Sequence, residues 1–96
     1  MALSSLTALA HLDLRHSKIG SAGAVALAAA LPSMVALERL DLSLNEIGNQ
    51  GATALAAALA LSSVRLTLIL NANVFGQAGF SALRSAAAQR GCTLII

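Results

Sequence analysis

The chain has no tryptophan, no tyrosine, two phenylalanines, one proline and one cysteine among its 96 residues. Each scarcity excludes something. A single cysteine, Cys92, cannot form an internal disulfide, and a chain without a disulfide framework is expected in the cytoplasm. Cys92 itself reads as a small apolar packing residue. Phe75 and Phe80 are the only aromatics, and the six basic residues (Arg15, Lys18, Arg39, Arg65, Arg84, Arg90) are scattered. That leaves neither a stacking platform nor a basic cluster, so no nucleic-acid partner is expected. The pI near 9.5 comes from a net charge of only +2 and marks no basic patch.

Charge is sparse enough that residues 19–37, 47–64 and 66–83 carry none. Each stretch nevertheless holds two glycines and several polar residues, so no membrane span is expected. No basic segment precedes an apolar run at the N-terminus, as a signal peptide would require. Catalytic motifs are missing too. There is no Gly-x-Ser-x-Gly, phosphate loop or zinc-type ligand spacing. The sequence therefore predicts a non-enzyme with no catalytic residue, no metal and no cofactor.

What is abundant is alanine and leucine. They are not spread at random. The stretch LDLSLNEIG (Leu40 to Gly48) is preceded by LDLRHSKIG (Leu12 to Gly20) and followed at the same interval by LILNANVFG (Leu68 to Gly76). Residues 9–36, 37–64 and 65–92 align without a gap. Leu12, Leu40 and Leu68 coincide, as do Leu14, Leu42 and Leu70. So do Gly20, Gly48 and Gly76, Gly23, Gly51 and Gly79, and Leu27, Leu55 and Leu83. Five columns in register identify a repeat rather than a low-complexity tract.

Each unit has two halves. The first alternates: Leu40 and Leu42 face one way, Arg39, Asp41 and Ser43 the other, which predicts short strands near 11–15, 39–43 and 67–71. The second changes to helical period, with Ala52, Leu55, Ala56 and Leu59 on one face. Ser21 and Asn49 read as N-caps of the first two helices, and Pro32 as the end of the first. Of the glycines in each unit, one would permit the turn and one would let the helix start pack closely. A strand and a helix in every unit make an α/β solenoid, with a parallel sheet inside and helices outside.

The segment LERLDLSLNEI (Leu37 to Ile47) resembles the leucine-rich repeat family, whose pattern is L-x-x-L-x-L-x-x-N-x-I. The unit length, set by the step from Leu12 to Leu40 to Leu68, and the tail GNQGATALAAAL resemble its ribonuclease-inhibitor-like subclass. That subclass includes repeat regions of NOD-like receptors and of Ran GTPase-activating proteins. The resemblance implies one leucine-rich-repeat domain over residues 1–96, with units at about 9–36, 37–64 and 65–92. It also implies that the Asn at Asn45 and Asn73 points inward to the turning backbone. Ser17 stands in that place in the first unit, so a looser first turn is expected. Leu3 and Leu6 fall in phase with Leu31 and Met34, which puts the chain's start in a helix tail. Residues 93–96 fall in phase with residues 65–68 and would begin a fourth strand. No polar capping unit is evident, so a fragment of a longer array, able to associate end to end, is expected.

Function follows from the same geometry. In a curved solenoid the non-core strand side chains line the inner wall, where a partner touches several at once. The candidate protein-binding columns are His11, Arg39 and Thr67; Asp13, Asp41 and Ile69; and Arg15, Ser43 and Asn71. They mix both charges with hydroxyl and amide donors and one exposed isoleucine, on a face with no deep pocket. A non-catalytic protein-interaction module, part of an intracellular sensor or regulator, is the expected function. The alternatives are a GTPase-activating regulator using Arg15 and Asn71, and a structural spacer or degenerate fragment.

Overall fold

The computed structural model describes residues 10–61 and 66–96. Strands and helices alternate along the chain: β1 (His11–Asp13), α1 (Gly20–Ala30), β2 (Arg39–Asp41), α2 (Asn49–Leu61), β3 (Thr67–Ile69), α3 (Gln77–Arg90) and β4 (Thr93–Ile95), with a 3-10 turn at Leu31–Ser33. The four strands form one parallel sheet in sequence order. Consecutive helices pack on one another, α1 on α2 and α2 on α3. This is an α/β repeat fold. The helix tail expected around Leu3 and Leu6 lies outside the described residues.

The register follows the leucine columns. His11 pairs with Arg39 and Arg39 with Thr67, so Leu12, Leu40 and Leu68 stand side by side. Leu40, Leu42, Leu68 and Leu70 are buried beneath the helices with Leu55, Leu59 and Leu83. Each fully buried leucine contributes about 1.5–3 kcal/mol of transfer free energy. A single unit cannot supply such a layer alone, because the leucines form one core cluster that runs through adjacent units.

The strands are shorter than expected, three residues rather than five. Cross-unit hydrogen bonds do continue past their ends, from Leu14 N–H to Asp41 C=O (2.9 Å) and from His16 N–H to Ser43 C=O (3.0 Å). The extended path then stops because His16, Leu44 and Ala72 all take positive φ (52°, 59° and 57°). Three equivalent residues in the left-handed region turn the chain back toward the helices.

The fourth strand differs in phase. Thr93 pairs with Thr67 and not with residue 65, so the step from β3 to β4 is two positions shorter than the step from Arg39 to Thr67. The connection is shorter because Gly91, at φ 69°, closes α3 in the left-handed form and the Cys92 N–H bonds Ala87 C=O. That is a glycine C-cap, and β4 follows at once. After α1 the chain instead runs through the Pro32 turn and on through residues 34–38 before β2 begins. The shift of two preserves strand parity, so Leu94 still faces the core.

The helices approach closely at the second glycine of the second and third units. A Cβ on Gly51 would sit 2.7 Å from Ile47 Cγ2, 2.9 Å from Ala24 Cβ and 3.1 Å from Ser21 Cα. A Cβ on Gly79 would meet Ala52 Cβ at 2.8 Å. The turn role holds at Gly20, whose φ is +66°, whereas Gly76 has φ −101°.

Ser21 and Asn49 cap helices, though not their own. Each lies within the first turn of its helix. Ser21 Oγ accepts from the N–H groups of Gly48 (2.9 Å) and Gly51 (3.4 Å). Asn49 Oδ1 accepts from Gly76 (2.7 Å) and Gly79 (3.0 Å). The side chain therefore satisfies the free N–H groups at the next helix start, tying adjacent units together. At the other end, the Arg90 guanidinium bonds Ala60 C=O in the last turn of α2 (Nε, 2.9 Å). A cation there also suits the negative end of the helix dipole.

Candidate functional site

The sheet face away from the helices is built by strand alternation. Its first column runs His11, Arg39, Thr67, Thr93 and its second Asp13, Asp41, Ile69, Ile95. A third column, Arg15, Ser43 and Asn71, follows just beyond the strand ends. His11, Asp13, Arg15, Arg39 and Asn71 are exposed, and Asp41 and Thr67 are half-buried.

Two candidate residues stand elsewhere than expected. Ile69 is not exposed but 5% accessible. The fourth strand sets Ile95 beside it and Asp41 flanks it on the other side, so its neighbours in the column cover it. Ser43 is likewise buried, at 6%. It is a short side chain between Arg15 and Asn71, and the backbone is occupied: its N–H bonds Asp41 Oδ1 (3.1 Å) and its C=O accepts from His16 and Asn45. Neither can be a principal contact. Ile95 and Leu44, which column membership in the three units does not select, are the exposed aliphatic side chains here, at 40% and 52%. Ile95 is hidden in the sequence by the two-residue phase shift. Leu44 is hidden because its leucine looks like one more core residue.

The acidic pair is bridged. Arg15 Nε donates to Asp13 Oδ1 (3.0 Å) and Oδ2 (3.2 Å), and its Nη2 to Oδ2 (3.0 Å). Arg15 Nε also lies 3.6 Å from Asp41 Oδ2. The carboxylate of Asp13 accepts the Arg15 backbone N–H as well (3.1 Å). These Arg15 hydrogen bonds hold the Asp13 carboxyl below its usual range and raise the Arg15 guanidinium further. Arg15 thus relieves the repulsion between Asp13 and Asp41, two like charges side by side on neighbouring strands. The contact is exposed, so Arg15 pairs with these carboxylates while remaining accessible on this face.

Arg39 differs. Among the described residues it forms no ion pair. It borders two shallow depressions. One, of about 310 Å³, lies among His11, Asp13, Arg15 and Asp41. The other, of about 420 Å³, lies among Asp41, Leu44, Ile69, Asn71 and Ile95. Among the described residues no three His, Cys, Asp or Glu side chains converge as a metal site, and no helix is long and apolar enough to cross a membrane.

Behind this face the turns are held by asparagine. Asn45 is fully buried. Its Oδ1 accepts from Ser17 N–H (2.8 Å) and Ile19 N–H (3.2 Å), and its Nδ2 donates to Leu14 C=O (2.7 Å) and Ser43 C=O (3.1 Å). Asn73 does the same one unit on, accepting from the N–H groups of Asn45 and Ile47 and donating to Leu42 C=O, with its other short bond to Leu70 C=O (3.1 Å) and Asn71 C=O at 3.5 Å. Ser17, in the first unit and exposed, donates its hydroxyl to the nearby Arg15 C=O (3.2 Å), its one side-chain bond among the described residues.

A family model described as a leucine-rich repeat matches residues 5–28 and 36–56. The matches support a leucine-rich repeat family. Leucine-rich repeat domains generally mediate protein–protein interaction and are typically non-catalytic. No curated protein matches the sequence. The matched segments cover β1, most of α1, β2 and the start of α2. The third unit, with Ile69 in place of the aspartate, lies outside them but pairs in the same sheet.

Proposed function

We propose that this chain is a non-catalytic protein-interaction module of the ribonuclease-inhibitor-like kind. It engages a partner protein with the sheet face away from its helices, in the setting of a cytoplasmic sensor or regulator. The observation that carries this reading is the composition of that face. Side chains from four adjacent strands stand in continuous columns, where cations, carboxylates, hydroxyls and aliphatic groups lie about 5 Å apart across the sheet. A partner could bury several of them together, as interface hot spots require. The contact set is His11, Asp13, Arg15, Arg39, Asp41, Thr67 and Asn71, with Leu44 and Ile95 added. The three units at 9–36, 37–64 and 65–92 serve to hold these columns in register.

The test compares two double variants in partner capture from a cell extract, followed by identification and direct binding of the captured protein. Arg39→Glu with Asn71→Lys alters the sheet face at two exposed residues. Thr53→Glu with Ala57→Glu alters the exposed surface of α2. Loss of the identified partner only with the first pair is the expected result. Loss only with the second would move the binding surface to the helices and refute the reading.

A further inference from the structure

We infer that the depression between Arg39, Leu44, Ile69 and Ile95 is a recognition subsite for an extended segment of a partner protein carrying a side-chain carboxylate a few residues from a large aliphatic anchor. The inference rests on the protein-binding reading above and specifies what that face binds.

The charge argument starts from the two arginines of the face. Arg15 spends its guanidinium on Asp13 and Asp41, at 3.0 to 3.6 Å. Arg39 is exposed and forms no ion pair among the described residues. Its planar fork of donors is therefore available, and such a fork suits a carboxylate taken in two parallel bonds. The neighbouring Asp41, half-buried and carrying an acceptor-only carboxylate, would repel a second acid that strayed from Arg39 and disfavour an anionic surface such as a membrane.

The apolar argument starts from Leu44. Its φ of 59° is a left-handed conformation, which costs an ordinary residue stability that asparagine or glycine would not lose. Its side chain is also 52% exposed. The turn needs the conformation whichever side chain stands there, since His16 and Ala72 share it. What singles Leu44 out is its place: an exposed aliphatic side chain at the edge of the depression that Arg39 borders. Ile95, 40% exposed, stands across the same depression, with Ile69 as its floor. The three make an apolar cup bordered by Arg39, which has no ion pair among the described residues, and by the Arg15–Asp41 pair.

Distance sets the motif. Ile95 lies two strands away from Arg39 and two residues further along the sheet, a backbone separation of about 12 Å. An extended segment spans this in about three to four residues. The subsite thus fits an acid and an aliphatic residue in an acid-x-x-aliphatic arrangement.

The test titrates the whole chain, isotopically labelled for amide NMR, with short Gly/Ser peptides of four kinds: Glu-x-x-Leu, Gln-x-x-Leu, Lys-x-x-Leu and Glu-x-x-Ser. Glu-x-x-Leu is expected to move the amides of Arg39, Leu44, Ile69 and Ile95. It should bind about tenfold more tightly than the Lys or Ser peptides and weaken as salt rises. Arg39→Gln should reduce its affinity to that of Gln-x-x-Leu while leaving the latter unchanged, and Leu44→Asn should weaken both. Equal binding of Lys-x-x-Leu at the same amides overturns the subsite but leaves the sheet face as a protein-binding surface. No perturbation at these amides by any peptide also overturns it, with the capture experiment deciding separately whether the sheet face binds protein. Perturbation confined to α2 around Thr53 and Ala57 overturns both.

Discussion

The backbone N–H of Asn45 donates to the side-chain Oδ1 of Asn73 at 3.1 Å. The first two turns are thus each held by the asparagine of the next unit, Asn45 and Asn73, so each of these reports on the stability of the unit before it. Asn45→Ala leaves Leu14 C=O, Ser43 C=O and the N–H groups of Ser17 and Ile19 without this partner. Each unsatisfied buried group costs about 1–3 kcal/mol. A loss of about 3 kcal/mol is expected in urea unfolding on that scale, with amide exchange rising first at residues 17–19. Exchange rising first in α3 instead would contradict this direction of support.

Leu40→Ala should cost about 2–5 kcal/mol through lost transfer energy and the cavity it leaves. Leu40 is fully buried between two neighbouring strands, whereas Leu12 in β1 is half-buried. Leu12→Ala should therefore cost less, and equal losses on thermal or urea unfolding would show that the sheet does not share its load as the register implies.

Gly51→Ala tests close helix packing against helix propensity. Alanine is favoured over glycine in a helix interior by about 1 kcal/mol. Yet the new methyl would lie 2.7 Å from Ile47 Cγ2 and 3.1 Å from the Ser21 Cα. Overpacking of that kind typically costs about 1–3 kcal/mol, so net destabilisation is expected. Gly48→Ala, whose nearest contact would be Ser21 Oγ at 3.3 Å, should be milder. A Gly51→Ala chain with a raised melting temperature would show that α1 and α2 can separate freely.

Leu44→Asn should stabilise the chain by about 1 kcal/mol, since asparagine accepts the left-handed conformation with less strain. The same substitution should weaken peptide binding. Stability and affinity moving in opposite directions, by melting and by titration of the same sample, are what a residue kept for contact would give. Lower stability would place Leu44 in the fold's service instead.

Acid should loosen the Asp13–Arg15 contact. Hydrogen bonds from Arg15 lower the Asp13 pKa from 3.8. A depressed folded value means stability that is present above the unfolded pKa and lost as pH falls through the folded one. The contribution therefore disappears below about pH 4. It is small, since both side chains are exposed. An NMR titration should place the Asp13 midpoint below the ordinary value, and Arg15→Gln should return it upward. An unchanged midpoint in that variant would remove Arg15 as the cause.

Repeat length, the alternation of strand and helix and the identity of the core leucines were legible in the sequence, because each is a local periodicity written three times. Leu40, Leu55 and Leu83 recur in columns, and all are fully buried. The inward role of Asn45 was implied by the resemblance of its segment to the leucine-rich repeat pattern. Column membership also gave His11, Asp13, Arg39 and Asn71 as side chains of the sheet face away from the helices, since parity alone sets which way they point. Nothing local distinguished Leu44 from a core leucine, for its turn conformation is not written in its own identity.

The sequence by itself determined the α/β repeat, its strand parity and its buried leucine layer, because hydrophobic periodicity is a property of neighbouring residues along one chain. Only the tertiary structure decided how units meet. Ser21 and Asn49 look like caps of their own helices and instead bind the next helix start, a partner 27 to 30 residues away. Ile69 looks exposed by parity, yet Ile95 covers it once Gly91 shortens the last connection by two residues. Arg15 and Arg39 are alike as residues. Distance alone commits one to Asp13 and Asp41 and leaves the other open, since ion pairing falls off with a separation that only the folded chain sets.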